Sequence, residues 1–476
     1  MDLRIERARE LAAETGRIES FYRHGWHSWS PTGWVNPRDP VVPIRDEGRR
    51  LGHDDPEHAF ETQVGGSGVG VARCTDGMFV LLGALTLGAR VEPYGELLRG
   101  TSEAGQIEWL VVEGTMNEVL DAYVQELTSR LGRRGRGRMR VWCSWYSYYA
   151  DISEEAIRRE VHDAAPFPFD VIQIDDGWQT GIGDWEPNAK FPNGMAALAD
   201  AIMSTGREAG LWLAPLIAGA DSRLARTRPE LLLRDAEGRP VVAGINWGGP
   251  YYSLDPTADA TAEFLTETIS TARAWGFSYL KLDFLYAAAF PGVHATAMPR
   301  ELAYRQAAEV MRQAAGNDCY LLACGAPVIA STGIFDGIRI GPDVAGFWED
   351  AELAAMGDAS GRGARNAIAT SSQRLWLKGA FDPDPDVVYL DRSEVDLDGR
   401  MLESLQDLAR ITGFVGTSDR LADLSQDEKT NLLSLLTDDA VIKRRPDMGW
   451  TIDGRDVDFG WVAGSGAPAI SGATPS

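Results

Sequence analysis

The stretch FSYLKLDFLY, residues 277–286, decides the fold, because it predicts a buried strand that ends in a charged pair. Lys281 and Asp283 are two residues apart, so both side chains point to the same face of a strand. In parallel α/β folds, ligands bind at the carboxyl ends of the strands. A structural ion pair is the alternative interpretation of a single K-x-D sequence. The residues that end the other predicted strands favour a ligand site.

Apolar strand-like segments and amphipathic helix-like segments alternate along the chain between Val141 and Ser418. About eight alternations over roughly 280 residues predict an α/β fold, a (β/α)8 barrel, for which about 250 residues is typical. A doubly wound parallel sheet is the alternative, but no G-x-G-x-x-G turn follows the first predicted strand. The predicted strands are RVWCSWYSY, FDVIQIDDGW, GLWLAPL, FSYLKLDFLY, CYLLACGAP, DGIRIGPDV, a weaker seventh near residues 372–379 or 386–390, and ITGFVGTSD.

Two further regions flank the predicted barrel, to which we assign residues 136–418. Residues 1–135 alternate short apolar runs with Gly-rich turns, which predicts an N-terminal antiparallel β-sandwich domain. Residues 419–476 contain one helical run, QDEKTNLLSLL, and short strand-like segments, which predicts a small C-terminal β-rich region. The tail after Gly464, rich in Gly, Ala, Ser and Pro, is expected to be flexible.

Composition and charge narrow the functional classes. The chain of 476 residues carries 46 basic and 70 acidic side chains, a net charge of -24, which would repel nucleic acid over most of the surface. The first residues lack the apolar core of a secretory signal, and no run of about 18 apolar residues occurs, so we expect no membrane association. Four scattered cysteines favour neither a disulfide framework nor a zinc site, which indicates a cytoplasmic protein. No cofactor is predicted, and a homo-oligomer is compatible with the sequence.

Four of the predicted strands end in residues that can bind or react with a ligand. The second strand ends in Asp175, Asp176 and Trp178, the fourth in Lys281 and Asp283, the fifth in Cys324 and Gly325, and the sixth in Arg339 and Asp343. Because the strands of a barrel end at one mouth, we expect these acids and bases to converge there. Surplus buried carboxylates destabilise a protein unless they bind or react, which favours a catalytic site over a structural ion-pair cluster.

Asp283 and Asp343 are the natural pair for glycoside hydrolysis, in which one carboxylate attacks the sugar and the other protonates the leaving oxygen. Lys281 beside Asp283 should hold that carboxylate ionised, as a nucleophile requires. Phe347 and Trp348 follow Asp343 and would supply the apolar setting that raises the pKa of an acid. We expect the two carboxyl groups to stand about 5 Å apart on opposite sides of one sugar ring.

The adjacent Asp175 and Asp176 suit a binding role, since two carboxylates on one turn can accept hydrogen bonds from two sugar hydroxyls. A helix N-cap or a divalent-metal ligand pair is the alternative for these two residues. Two further classes of function stay open at this point. One is a Mg²⁺-dependent barrel in which both residues and Asp283 ligate the metal, and the other is a sugar-binding barrel without catalytic activity.

Four segments carry a resemblance to a known family: IDDGWQTGIGDWEPNAKFPNG, GLWLAP, YLKLDF and RIGPDV. In this order they resemble clan D of the glycoside hydrolases, and most of all the shorter bacterial and archaeal α-galactosidases of family 36. The resemblance covers about residues 141–418. HGWHSWSPTG and the β-rich first third are similar to the N-terminal β-sandwich of that family.

This resemblance implies a retaining exo-α-galactosidase that needs no cofactor and acts on small oligosaccharides such as melibiose or raffinose. Asp283 matches the nucleophile of the K-x-D motif, and Asp343 matches the general acid/base of the R-x-x-x-D motif. Asp175 and Asp176 match the pair that binds the O4 and O6 hydroxyls of the terminal galactose.

The resemblance also assigns most of the remaining binding residues. Lys281 and Arg339 match sugar-hydroxyl ligands beside the nucleophile, and Cys324 with Gly325 match a turn near O2. The walls of the site are assigned to Trp145, Tyr146 and Trp212, with Trp178 added from the end of the second strand and Trp26 or Trp29 reaching in from the sandwich. The chain reads KLDFL, PDV and CGAP where longer members read K-W-D-M-N, S-D-N and C-S-G-G-G. An α-N-acetylgalactosaminidase, an α-glucosidase or a transglycosidase on the same scaffold therefore remains an alternative.

Overall fold

Two antiparallel sheets make up the start of the computed structural model, which describes residues 2–393, 395–446 and 449–462. The elements are β1 (Asp2–Ala8), β2 (Glu10–Glu14), β3 (Ile18–Arg23), β4 (Gly33–Val35), α1 (Glu47–Leu51), β5 (Gly66–Ser67), β6 (Val69–Cys74), β7 (Phe79–Ala84), β8 (Ala89–Tyr94), β9 (Leu97–Ser102), β10 (Ile107–Gly114) and α2 (Met116–Leu131). One sheet has the strand order β1-β10-β7-β6-β3-β4, and the other has the order β2-β9-β8-β5.

The side chains of β10 show why the two sheets stack on each other. Ile107, Trp109 and Val111 face an apolar layer shared with residues of both sheets, whereas Leu110 and Val112 face the opposite side. Helix α2 packs on that opposite side and starts with a capping box between Thr115 and Glu118. This alternation at period two buries both faces of the sheet. The predicted N-terminal antiparallel β-sandwich is confirmed.

The central part of the chain forms one curved sheet of parallel strands. The strand segments are β11 (Met139–Cys143), β12 (Val171–Ile174), β13 (Gln179–Gly181), β14 (Asp184–Pro187), β15 (Glu208–Leu213), β16 (Ile217–Gly219), β17 (Val242–Asn246), β18 (Gly249–Ser253), β19 (Tyr279–Leu282), β20 (Tyr320–Ala323), β21 (Gly337–Arg339), β22 (Asp382–Asp384), β23 (Val387–Val388) and β24 (Phe414–Thr417). The sheet order is β22-β21-β20-β19-β15-β12-β11-β24-β23. The pair β13–β14 and the small antiparallel sheet β16-β18-β17 are loop insertions.

The two edge strands of this sheet come from one short segment, which closes the barrel. β22 pairs with β21, β23 pairs with β24, and Pro385 and Asp386 separate the two edges in the chain. Asp386 has a φ of 81°, so the backbone bends sharply between the two halves of the seventh strand. The predicted (β/α)8 barrel is therefore confirmed, with its seventh strand built in two pieces.

Helices connect the barrel strands along the chain. They are α3 (Trp145–Tyr148), α4 (Glu154–Asp163), α5 (Gly194–Met203), α6 (Arg223–Thr227), α7 (Asp259–Ala274), α8 (Arg300–Ala315), α9 (Ala351–Ala355), α10 (Ala364–Gln373) and α11 (Gly399–Thr412). The longer ones bury one face, as the amphipathic pattern predicts.

Two of the predicted strands need correction. Residues 372–379 form no strand, because they end α10 and continue as the 3-10 helix Leu375–Gly379, whose buried apolar side chains mimic a strand pattern. The other proposed location, residues 386–390, overlaps β23. The first predicted strand is shorter than RVWCSWYSY, since its aromatic second half is helix α3.

The last described elements are helix α12 (Gln426–Thr437) and a three-stranded antiparallel sheet of β25 (Ile442–Arg444), β26 (Trp450–Ile452) and β27 (Arg455–Val457). They correspond to the predicted small C-terminal β-rich region. The tail after Gly464, predicted to be flexible, lies outside the described residues. The domain boundaries at residues 135 and 418 stay a prediction. Within the described ranges, no helix has the length and apolar character needed to cross a bilayer.

A buried arginine of the barrel fixes part of the sandwich domain above the strand ends. Arg374 donates hydrogen bonds to the carbonyl oxygens of Gly25 at 3.0 Å, His27 at 2.9 Å and Ser28 at 2.5 Å, and to that of Ile340 at 3.2 Å. Its side chain is fully buried. The segment that carries Trp26 and Trp29 is thereby held against the barrel.

Candidate active site

Asp283 follows β19 directly, and two N–H groups hold its carboxylate. Trp212 Nε1 donates to Oδ2 at 3.0 Å, and the backbone N–H of Phe284 donates to Oδ1 at 2.8 Å. Phe284 has a φ of 54°, a left-handed conformation that is rare for non-glycine residues and concentrates at functional sites. The buried carboxylate is therefore fixed in one orientation at the carboxyl end of the fourth barrel strand.

Lys281 forms an ion pair with Asp175, which directly follows β12, the second barrel strand. The Nζ to Oδ2 distance is 3.0 Å, and Gln173 Nε2 donates to the same oxygen at 2.6 Å. Burial lowers the pKa of Lys281, but the negative charges around it, with Asp175 first and Asp283 also contributing, outweigh burial and raise the pKa well above its usual value. The charged ammonium thus connects the turn after β12 to the strand that carries Asp283.

Asp176 is held by two side chains that no sequence prediction included. Gln179 Nε2 donates to Oδ1 at 2.6 Å, and Trp247 Nε1 donates to Oδ2 at 2.7 Å. Burial raises the pKa of Asp176 above its usual value, and both hydrogen bonds oppose that rise. Trp247 lies between β17 and β18 in an N-W-G-G turn, and no local sequence pattern indicates its contact with Asp176. Asp175 and Asp176 therefore lie side by side in the pocket, each with donors already in place.

Asp343 lies at the mouth of the pocket, with its side chain 44% exposed. Arg339 Nη1 donates to its Oδ1 at 3.1 Å. The surrounding protein displaces water and raises the pKa of Asp343, while Arg339 and Lys281 lower it and the charges of Asp283 and Asp175 raise it further. The effect of Asp283 puts the two predicted catalytic acids within electrostatic reach of each other.

Two more acids, Asp384 and Asp386, share the guanidinium of Arg339. Arg339 Nε donates to Asp384 Oδ2 at 3.0 Å, and Nη1 lies 3.0 Å from Asp386 Oδ2. The hydroxyl of Tyr146 donates to Asp386, and burial raises the pKa of Asp386 to about 6. The run DPDPD at 382–386, in which acids alternate with prolines, was the sequence signal for this pair.

Aromatic rings from outside the barrel strands cover the residue next to Asp283. The ring of Trp29, from the sandwich domain, lies 5.2 Å from that of Phe284 and 5.7 Å from that of Tyr286. The ring of Trp247 lies 5.1 Å from Phe284 on the hairpin side. The pocket wall therefore combines residues from the sandwich, the fourth barrel strand and a loop insertion.

Of the other predicted wall residues, Trp26 and Trp178 contact residues outside this cluster. Trp26 Nε1 donates to Glu301 Oε1 at 3.0 Å, which directs its indole toward α8. Trp178 is fully buried and packs edge-on against Trp275, with 5.8 Å between the rings. Trp145 begins helix α3, at the end of the first barrel strand, and is partly buried.

The turn of Cys324 and Gly325 follows β20 and faces the sandwich domain. Gly325 has a φ of 52°, and a Cβ at this position would lie 3.0 Å from the ring of Trp29. A larger residue would therefore strain the backbone and displace the indole. Burial raises the pKa of the Cys324 thiol well above its usual value, so the thiol stays neutral.

The arrangement provides the groups for an acid-assisted displacement at a sugar carbon. A buried carboxylate with fixed donors follows the fourth barrel strand, and a second carboxyl group, whose pKa is raised and on which the charge of the first acts, follows the sixth. Among the residues that the structure describes, no group of three or more His, Cys, Asp or Glu side chains is placed to hold a metal ion. Asp175, Asp176 and Asp283 each accept hydrogen bonds from different protein donors.

Comparison with known proteins gives a family match over the central part of the chain and a similarity over nearly the whole chain. The Melibiase family model matches residues 113–315. The structure is similar to that of TtGalA, an α-galactosidase from Thermus thermophilus, in complex with p-nitrophenyl α-D-galactopyranoside. The two share 43% sequence identity with a TM-score of 0.91, over 96% of this chain and 94% of that one. TtGalA in complex with stachyose matches at 44% identity and a TM-score of 0.87, over 91% of this chain and 94% of that one.

Two larger relatives match over a shorter part of this chain. The α-galactosidase AgaA of Geobacillus stearothermophilus is 30% identical over 180 residues, which are 35% of this chain and 24% of AgaA. An A type blood α-D-galactosamine galactosaminidase of Flavonifractor plautii is 36% identical over 146 residues, which are 28% of this chain and 14% of that protein. The match therefore spans a quarter or less of the length of these two relatives.

Proposed function

Because the chain belongs to the α-galactosidases of glycoside hydrolase family 36, we propose that it removes terminal α-linked galactose from oligosaccharides with retention of configuration. The observation that carries this proposal is the contrast between Asp283 and Asp343 in one pocket. The first is a buried carboxylate held by two N–H donors, and the second is a carboxyl group at the mouth whose pKa is raised. These are the surroundings that a nucleophile and a general acid require.

In the first step, Asp283 attacks the anomeric carbon while Asp343 transfers its proton to the glycosidic oxygen. The bond to the leaving sugar breaks, and a galactosyl ester on Asp283 forms. In the second step, Asp343 takes a proton from water, and the resulting hydroxide attacks the anomeric carbon. The ester bond breaks, galactose leaves as the α-anomer, and both acids return to their starting states.

The paired acids at the end of the second strand would bind the hydroxyl groups of the galactose ring. Asp175 is tied to Lys281 and Asp176 to Trp247, at 3.0 and 2.7 Å, so both carboxylates are oriented before the sugar enters. Preorganised acceptors bind hydroxyl groups without the loss of side-chain freedom that flexible residues suffer. Lys281 and Arg339 would complete the polar floor of the site.

We propose short oligosaccharides of the melibiose and raffinose type as substrates. Support comes from TtGalA, which is similar over most of its length and whose structure contains stachyose. We also propose that the enzyme works in the cytoplasm, alone or as a homo-oligomer, without nucleic acid or membrane partners. The four cysteines are free and buried, which fits a reducing compartment.

A panel of nitrophenyl α-glycosides with and without EDTA tests the proposed function. We expect hydrolysis of the α-galactoside, no effect of EDTA, and rates at least about 100-fold lower for the α-glucoside. NMR should detect α-galactose as the first product. Initial release of β-galactose would contradict the retaining mechanism, and inhibition by EDTA would favour the Mg²⁺-dependent alternative.

One specific observation favours a second candidate activity. The Flavonifractor plautii relative, named for its action on galactosamine, is 36% identical over 146 residues. The panel therefore includes the nitrophenyl α-galactosaminide and the N-acetyl-α-galactosaminide. A higher kcat/KM for either of these than for the galactoside would replace the proposed substrate with an amino sugar.

A further inference from the structure

A segment of the sandwich domain crosses toward the barrel mouth, and we name residues 46–54 the strap. It contains helix α1, whose N-cap Asp46 accepts a hydrogen bond from the backbone N–H of Arg49 at 2.9 Å. On one side, a Cβ added at Gly48 would meet the side chain of Ile245 at 3.2 Å, and one added at Gly52 would meet the hydroxyl of Tyr286 at 3.8 Å. The strap therefore touches the loop insertion and the aromatic group beside Asp283.

On its other side, the strap is bound to a buried carboxylate. Arg49 Nε donates to Asp358 Oδ2 at 2.7 Å, and His53 Nδ1 lies 3.0 Å from Asp358 Oδ1 and 3.1 Å from Ser360 Oγ. Burial raises the pKa of Asp358, but the hydrogen bond to His53 and the charge of Arg49 outweigh burial and hold it well below its usual value. We name Arg49, His53 and Asp358 the clamp. It consists of an ionised carboxylate shared by an arginine and a histidine.

The clamp is attached to the loop that carries Asp343. Five residues after Asp358, the backbone N–H of Gly363 donates to the carbonyl oxygen of Asp343 at 3.0 Å. The residue that transfers a proton to the glycosidic oxygen must face the leaving group. The strap therefore reaches the barrel on the side of Asp343, where the proposed mechanism puts the leaving group.

Arg49 also acts on two tyrosines that the charge of Asp283, the other proposed catalytic acid, affects. Burial raises the pKa of the Tyr251 and Tyr286 hydroxyls, the charge of Asp283 adds to the rise, and the charge of Arg49 opposes it. Arg49 thus lies near the aromatic group beside Asp283 while its Nε is held by Asp358 on the Asp343 side. Its side chain is 40% exposed, and its hydrogen bond to Asp358 uses Nε.

We propose that Arg49, fixed by Asp358 and His53, forms the binding subsite for the sugar that leaves in the reaction. This inference rests on the proposed function, since it takes Asp343 as the proton donor to that sugar. The two Nη groups of a guanidinium present donors in a rigid fork, which suits a pair of neighbouring hydroxyl groups on a sugar ring. The sandwich domain then contributes directly to the choice of leaving group.

The test compares two substrates with one galactose and different leaving groups, raffinose and p-nitrophenyl α-galactoside. Arg49→Met should lower the ratio of kcat/KM for raffinose over kcat/KM for the aryl substrate by about 10-fold, because a nitrophenyl group offers no hydroxyls to a guanidinium. Most of the loss should come from a higher KM for raffinose. Asp358→Asn, which loosens Arg49 without removing it, should lower the ratio in the same direction.

Arg50→Met is the matched control from the same helix. Arg50 lies over the ring of Phe60 at 4.5 Å and donates to the carbonyl of Ile44, away from the clamp. Its replacement should leave the ratio unchanged. A ratio that stays constant in Arg49→Met would reject the subsite, whereas a parent enzyme inactive on both substrates would reject the proposed function instead.

Discussion

Asp283 follows β19 and Asp343 follows β21, so one strand, β20, lies between the two. The two acids differ in their exposure and in the donors that bind them. The residue Asp283 is 7% exposed and its carboxylate accepts N–H groups from Trp212 and Phe284, whereas the side chain of Asp343 is 44% exposed and bound by Arg339. The N–H donors fix the orientation of the Asp283 carboxylate, whereas the surroundings of Asp343 raise the pKa of its carboxyl group. Two identical side chains therefore have different surroundings, which fit the different roles that we propose for them.

One arginine binds both Asp343 and the acids of the seventh strand. Arg339 is shared by Asp343, Asp384 and Asp386, so its charge is divided among three carboxyl groups. A guanidinium paired with Asp343 alone would hold that acid ionised. The additional anions of the seventh strand weaken this effect, which leaves Asp343 able to carry a proton.

The largest expected effect is the loss of Asp283. Asp283→Ala should lower kcat on p-nitrophenyl α-galactoside by at least about 10⁴-fold, since no group remains to form the covalent intermediate. Added azide should restore turnover and give the β-galactosyl azide, which NMR identifies. Rescue that gives the α-azide would contradict the assignment of the nucleophile.

Removal of Asp343 should have an effect that depends on the leaving group. Asp343→Ala should lower kcat/KM by about 10³-fold on raffinose, whose leaving oxygen needs a proton, and far less on an aryl galactoside with an acidic phenol. The measurement is a series of aryl galactosides with different phenol pKa values. Equal losses across the series would remove the proton-transfer role from Asp343.

A smaller loss of activity is expected when one of the hydrogen bonds that orient Asp283 is removed. Trp212→Phe removes one hydrogen bond to the carboxylate and should lower kcat by about 10-fold. Trp185→Phe is the matched control, because its ring lies 5.9 Å from that of Trp212 and its Nε1 has no partner in the described part of the chain. If both variants lose the same activity, aromatic packing rather than the hydrogen bond orients Asp283.

The smallest effect concerns pH. The proposed mechanism requires Asp343 protonated, so kcat/KM should fall as the pH rises through its pKa. Asp386→Asn removes a negative charge near Arg339 and near Asp343, which lowers the pKa of Asp343 and should move the basic limb of the profile to lower pH by about one unit. Tyr146 and Asp384, which also face Asp386, remain in this variant. A shift to higher pH would show that the network does not act on Asp343 as described.

The barrel strands that carry the paired acids could be predicted because their cores are continuous apolar runs. Segments such as FDVIQIDDGW and FSYLKLDFLY end in charged residues, and a buried parallel strand ends at the ligand side of its sheet. The seventh strand could not be predicted in this way. Its residues alternate acids with prolines, and pairing with its neighbours rather than an intrinsic preference makes it a strand.

Residues supplied by other parts of the chain were also beyond sequence reasoning. Trp247 reaches Asp176 from a hairpin 71 positions away, and Arg49 reaches Asp358 across 309 positions. Local patterns contain no information about such approaches, which depend on how the loops and the sandwich pack on the barrel. Trp26 and Trp29 are only three residues apart, yet only the packing decides that Trp29 lies over Phe284.

The hydrogen bonds of Arg374 have a consequence for how this protein can be shortened. Three of its acceptors belong to residues 25–28, so a fragment that starts after the sandwich would leave a fully buried guanidinium with most of its acceptors missing. A buried charge that has lost its partners destabilises a fold by about 3–5 kcal/mol. The sandwich is thus an integral part of the folding unit of the barrel, and the two regions should melt together in a single calorimetric transition.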